Sequence, residues 1–134
     1  MSASDFAALA LALLLASPAR AETPMTADEF DAFSVGKTLD YAVDGVIYGS
    51  EMHLPGRKTR DADTGRECHD GTWVAQDDQI CFIYAPDPTL HCWRFWRRGD
   101  GLLAVPTGAA PDAPPSEVTV AKTPLACAGP DVGA

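Results

Sequence analysis

Positive charge is scarce in this chain: ten Lys and Arg stand against nineteen Asp and Glu, for a formal net charge of −9. Such a balance repels phosphate backbones and anionic headgroups, which argues against nucleic acid and anionic membrane surfaces as partners. Motifs with specific chemistry are also missing. The sequence contains no G-x-S-x-G, S-x-x-K or H-E-x-x-H, so it supplies no catalytic residue. Cys68-His69 and His91-Cys92 put histidine beside cysteine, but their spacing fits no tetrahedral zinc template. Met52-His53 is no better as a copper pair, because successive strand residues point to opposite faces; it reads as surface. Asp77-Asp78 falls in a turn, where solvation accounts for it. The expectation is a protein without metal or cofactor that is not an enzyme.

Long apolar runs are absent too. The longest, residues 6–16, is shorter than the roughly 20 residues needed to span a bilayer. Ser17-Pro18-Ala19-Arg20-Ala21 follows with an A-x-A cleavage site, so residues 1–21 read as a secretory signal peptide, although Asp5 stands where a basic segment is usual. No cysteine follows the run to carry a lipid, and no stable membrane anchor is expected after cleavage. Residues 22–134 are then a single domain, large enough to bury a core and small enough to gain from staples. Four cysteines in an exported chain imply two disulfides and a periplasmic or secreted location.

What the chain does have is concentrated in residues 65–96, which hold three of the four cysteines and all three tryptophans. Gln76-Asp77-Asp78-Gln79 suits a tight turn, and Ala85-Pro86-Asp87-Pro88-Thr89 is a second break because prolines cannot sit in a central strand. Residues 80–84 and 90–96 between and after them are β-branched and aromatic, hence strands. Side chains alternate along a strand, so parity carries through both turns. Centring the first turn between Asp77 and Asp78 sets Trp73 opposite Phe82. Folding the second about Pro86-Asp87 puts Ile80, Phe82 and Tyr84 on one apolar face with Trp93 and Phe95. That face is assigned to the core, and Trp73, Phe82, Trp93 and Phe95 are the candidates to line any ligand cavity. The outer face takes Cys68, Cys81, Cys92, Arg94 and Trp96. Cys81 and Cys92 can then sit directly opposite one another, near disulfide range. Cys68 remains for Cys127, although four cysteines allow three connectivities. Arg94, Arg97 and Arg98 form a basic cluster that could contact an anion; structural pairing is the simpler reading.

The flanking segments add one helix and further strands. Thr26 and Glu29 make a capping box, Met25 and Phe30 a hydrophobic staple, and Gly36 a stop, giving a helix over residues 27–35 packed on the sheet or plugging a barrel end. Leu39, Tyr41 and Val43 share a face before the Asp44-Gly45 hairpin turn, which places Tyr48 across from Tyr41 in the core. Arg57-Lys58-Thr59-Arg60 reads as a polar edge strand. Residues 102–105 and 117–123 are strands around a proline-rich loop. The sum is a mainly β domain of about eight strands, a small antiparallel barrel or strongly bent sheet with one N-terminal helix.

The combination of G-K-T-L at residues 36–39, E-C-x-x-G-x-W at 67–73, I-C-F-I-Y at 80–84, C-W-R-F-W at 92–96 and P-L-A-C-A-G-P at 124–130 resembles a group of small uncharacterised exported proteins of alphaproteobacteria. More loosely, G-x-W followed by paired strand cysteines is similar to a bacterial domain family of unknown function with a lipocalin-like barrel. The resemblance implies fold and compartment and supplies no activity. Exported lysozyme-inhibitor barrels are comparable in size, but their S-G-x-x-Y element is absent. The function expected from sequence is therefore a non-catalytic binding or envelope-maintenance role. The alternatives are an acidic blocker of a basic envelope protein and a carrier of a small apolar ligand.

Overall fold

Thr26 accepts a hydrogen bond from the backbone N–H of Glu29 at 3.2 Å and so begins the helix that the capping signature predicts, α1 (Ala27–Ser34). These features belong to a computed structural model that describes residues 22–127; the signal-peptide reading over residues 1–21 lies outside the described residues. Eight residues cannot hold a helix in water alone, so packing must supply the stability. Phe30 supplies it: the ring is fully buried, with centroids 5.3 Å from Trp73, 4.5 Å from Phe95 and 6.2 Å from Phe82. Gly36, at φ +78°, ends the helix in the left-handed conformation that glycine adopts without strain.

Eight antiparallel strands follow: β1 (Thr38–Val43), β2 (Val46–Leu54), β3 (Lys58–Asp63), β4 (His69–Gln76), β5 (Gln79–Tyr84), β6 (His91–Arg98), β7 (Gly101–Pro106) and β8 (Ser116–Val120). Each pairs with its neighbour in sequence, and β8 pairs with β1, so the sheet closes into a barrel. The central block folds as the parity argument requires. Trp73 faces Phe82, Ile80 faces Trp93, and Cys81 faces Cys92. Disulfides join Cys81 to Cys92 and Cys68 to Cys127, with Cα–Cα distances of 4.0 Å and 5.2 Å. Two such bonds point to a non-reducing environment. No helix among the described residues is long and apolar enough to cross a membrane.

Four expectations fail, two of them for a single reason. The two-residue turn at Asp44-Gly45 forms, but the register slips between Tyr41 and Ala42, so Tyr41 pairs with Gly49 and Tyr48 becomes the extra residue of a β-bulge. Tyr48 is therefore not the cross-strand partner of Tyr41. It stands 39 % exposed, with its hydroxyl 2.7 Å from that of Ser116. The bulge also inverts the parity of all of β2 beyond it. Gly49, Glu51 and His53 turn inward, and His53, read from sequence as surface, is 1 % exposed. The third failure is β3, which is no edge: in a closed barrel it lies between β2 and β4. The last strand is also shorter than predicted, ending at Val120.

Candidate functional site

The barrel interior divides into two unlike halves. The half beneath α1 is apolar and filled by Phe30, Trp73, Phe82, Phe95, Leu39 and Leu102. The other half is polar and aromatic. Cross-strand pairing sets Glu51 beside Asp61, and Gly49 beside Asp63 at the rim. Tyr41 from β1, Tyr84 from β5 and Trp93 from β6 complete the wall, with the Tyr41 and Trp93 ring centroids 6.3 Å apart.

Glu51 is the buried hub, at 1 % exposure. Oε2 accepts a hydrogen bond from the Tyr84 hydroxyl, and Oε1 lies 3.0 Å from His53 Nε2. That approach is short enough for an ion pair but lacks hydrogen-bond alignment, and His53 Nδ1 and Thr59 Oγ1 beside it are buried without a partner. Gly71 makes this arrangement possible. A Cβ there would sit 2.8 Å from both Thr59 Oγ1 and a Tyr84 ring carbon, so the missing side chain gives the tyrosine its place.

The electrostatics follow from burial and like charge. Asp61 is pushed up from 3.8 to about 7, first by burial and then by the neighbouring charges of Glu51 and Asp63. Burial, followed by the Glu51 charge, raises the Tyr41 and Tyr84 hydroxyls well above the ordinary tyrosine range, so both stay protonated. Among the described residues, no lysine or arginine forms an ion pair with Glu51, Asp61 or Asp63. Natural sheets disfavour like charges directly opposite one another, which makes the Glu51–Asp61 pair costly to keep.

No protein-family profile, curated protein or solved structure matches this chain. The chemistry of the site has to be read from its own side chains. Of the residues singled out in sequence, Trp73, Phe82 and Phe95 are buried in the filled half, and the half-buried Trp93 packs against the same cluster with its ring beside Tyr41. The three arginines do not converge. Arg94 Nε bonds Asp78 at 3.0 Å, Arg98 lies 3.8 Å from Glu22, and Arg97 stacks over Phe33 at 4.9 Å.

Sequence reasoning missed Glu51, Asp61 and Asp63 and set His53 aside as surface. A signal for two of them was present. Folding β2 onto β3 about Gly56 sets Glu51 against Asp61 and His53 against Thr59 whichever face they share, and a carboxylate pair in that position is unusual enough to notice. Among the described residues, no three His, Cys, Asp or Glu side chains are grouped so as to hold a metal ion.

Proposed function

We propose that this is an exported, periplasmic or secreted, non-catalytic binding barrel whose ligand enters at the end opposite α1. The observation that carries the reading is the contrast between the two halves of one interior. A barrel of eight strands maintained only for stability is filled by its own apolar side chains, as the half under α1 is. Burying Glu51 and Asp61 beyond it, with His53 at the boundary against Phe30 and Phe82, costs desolvation that packing does not repay, and unpaired buried polar atoms are what a binding site leaves for its ligand. Binding is favoured over catalysis because Glu51, the most buried acid, is held between His53 and Tyr84.

The polar lining speaks against a carrier for purely apolar ligands, since Trp73 is enclosed by Phe30 and Phe82. A blocker of a basic envelope protein rests on the net charge of −9 alone. Two of the acids displayed on hairpin turns are already engaged, Asp78 by Arg94 and Asp87 by Thr89. Binding at the open end is testable by two-dimensional NMR of the oxidised protein against a library of small polar and aromatic compounds. Hits are expected to shift Tyr41, Tyr84 and Trp93 while leaving Trp73 in place. Shifts confined to the outer face, or none from any compound, would remove the proposal.

A further inference from the structure

We propose that a groove on the outside of the barrel, walled by the β5–β6 loop, binds a small organic anion: a carboxylate on a compact apolar body, with its charge on Lys58. This site is separate from the polar half of the interior, and neither reading needs the other.

The groove follows from strand register. β5 stays paired with β4 as far as Gly71–Tyr84, and the Ala85 N–H donates to the Asp70 carbonyl at 2.9 Å, whereas pairing with β6 stops at Phe82–His91. The loop that follows therefore leans over β4 and β3. Pro86 and Pro88 stiffen it, and the Asp87 carboxylate accepts from both the backbone N–H and the hydroxyl of Thr89, at 2.9 Å and 2.7 Å. Beneath the loop, cross-strand pairing sets Leu54, Lys58, Thr72 and Ile83 side by side across the outer face. The groove between loop and sheet has a volume of about 570 Å³, within the range of about 300–1,000 Å³ usual for small-molecule sites. Its walls are already fixed, so a ligand has little chain to order on binding.

The lining chemistry selects the ligand. Ile83, Ala85 and the two prolines supply an apolar wall, and Leu54, 37 % exposed, continues it on the far side of Lys58. Of the four charged side chains in the lining, three are engaged. Arg60 forks onto Asp70, Nε to Oδ1 at 2.7 Å and Nη2 to Oδ2 at 3.3 Å, and Asp87 is held by Thr89. Among the described residues no acid pairs with Lys58. An exposed lysine needs no partner in water, but this one borders an apolar groove and is the charge left free for a ligand.

One free ammonium matches one singly charged group. A phosphate dianion would call on the Arg60 fork as well, which Asp70 occupies, and an organic cation would meet Lys58 as a like charge. The net charge of −9 does not forbid an anion here. Screening limits the reach of distant acids to about 8 Å at physiological ionic strength, and Arg57, Lys58 and Arg60 make the neighbourhood locally basic.

Phenylacetate tests the class, against the neutral phenylacetamide and the cation phenethylammonium, each titrated into the oxidised protein and followed by two-dimensional NMR. Phenylacetate should bind with a Kd of about 1 mM, the scale of a small fragment in an open groove. It should bind about fivefold more tightly than the amide, the upper range for an exposed ion pair, and the cation should not bind. Shifts are expected at Thr72, Ile83 and Ala85, with Tyr41 and Trp93 unmoved. Lys58→Gln should erase the preference for the carboxylate and Lys58→Arg should keep it, with unchanged near-ultraviolet circular dichroism showing that both variants fold. Thr72→Glu, which sets a carboxylate of the protein's own beside Lys58, should weaken phenylacetate by at least about fivefold. Equal binding of acid and amide, a preference that survives Lys58→Gln, or no saturation by phenylacetate up to about 10 mM would each overturn the inference. Shifts at Tyr41 and Trp93 in place of the groove would count against this site and for the interior one, so the two readings fail separately.

Discussion

Replacing Asp61 by Asn should make the protein more stable at pH 8 than the wild type, and the size of the gain can be worked out. The folded carboxyl holds its proton up to about 7, whereas the unfolded one releases it near 3.8. Between those values the folded state binds more protons, so raising the pH withdraws stability across that window, and the full penalty is present above it. For a wholly buried group the shift would correspond to about 4 kcal/mol. Asp61 is only partly buried, and solvent screening reduces this to about 1–2 kcal/mol. The groups that set this environment are Glu51 and Asp63, with Tyr41, Tyr48 and Tyr84 nearby and His69 paired across β4. Asp70, Asp78 and Asp87 titrate below their usual range and leave the window untouched. Urea unfolding of both proteins at pH 5 and pH 8 measures the effect. Because part of the penalty has already accrued by pH 5, the wild type should lose about two-thirds of that amount relative to Asp61→Asn between the two pH values. Parallel behaviour of the two proteins would refute the like-charge account of this cluster.

Other outcomes follow from packing and chain connectivity. Trp73→Ala should cost about 3–5 kcal/mol by leaving a cavity against Phe30 and Phe82, and Trp96→Ala on the outer face much less; equal losses in chemical denaturation would contradict the interior assignment. Removing Cys68–Cys127, with a sequence separation of 59, should cost about 4 kcal/mol, against about 3 kcal/mol for Cys81–Cys92 with a separation of 11. Melting of the paired serine variants ranks them, and the reverse order would discredit the loop-entropy argument. Gly71→Ala should push the Tyr84 ring from its place and weaken its bond to Glu51, at about 1–3 kcal/mol, with the tyrosine signals in near-ultraviolet circular dichroism reporting the displacement.

The elements legible in the sequence were those whose register depends on turns alone. Between Trp73 and Phe95 no residue is inserted or skipped, so counting outward from Asp77-Asp78 and from Pro86-Asp87 gives the observed pairs Trp73–Phe82 and Ile80–Trp93. The helix was legible because its caps are local: Thr26, Glu29 and Gly36 act within a few residues of one another. The candidate site was hidden by a residue that obeys no local rule. Nothing in Val46-Ile47-Tyr48-Gly49 marks Tyr48 as extra; Gly49, where a Cβ would press on the Ala62 carbonyl at 3.3 Å, takes the inward position instead. One slipped residue sent Glu51 and His53 inward against their polarity. Closure was equally invisible, since charges on Lys58 and Arg60 serve the outside of a barrel as well as the edge of a sheet.

The seam between β1 and β8 gives the protein a folding problem that its staples address. Those strands lie near opposite ends of the described chain, and theirs is the sheet contact of greatest sequence separation, which must meet the largest loop-closure cost before it returns any stability. Until the seam forms, β1 and β8 are bare edges able to pair with another molecule. The tail after β8 leaves Val120 at the helix end and reaches Cys68, in the β3–β4 connection at the other end, through Cys127. Oxidation of that pair tethers the tail to the middle of the chain and keeps β8 within a short search of β1. The bond thus acts on the route as well as the end state: a chain denied oxidation exposes its two edges for longer, and self-association competes with closure.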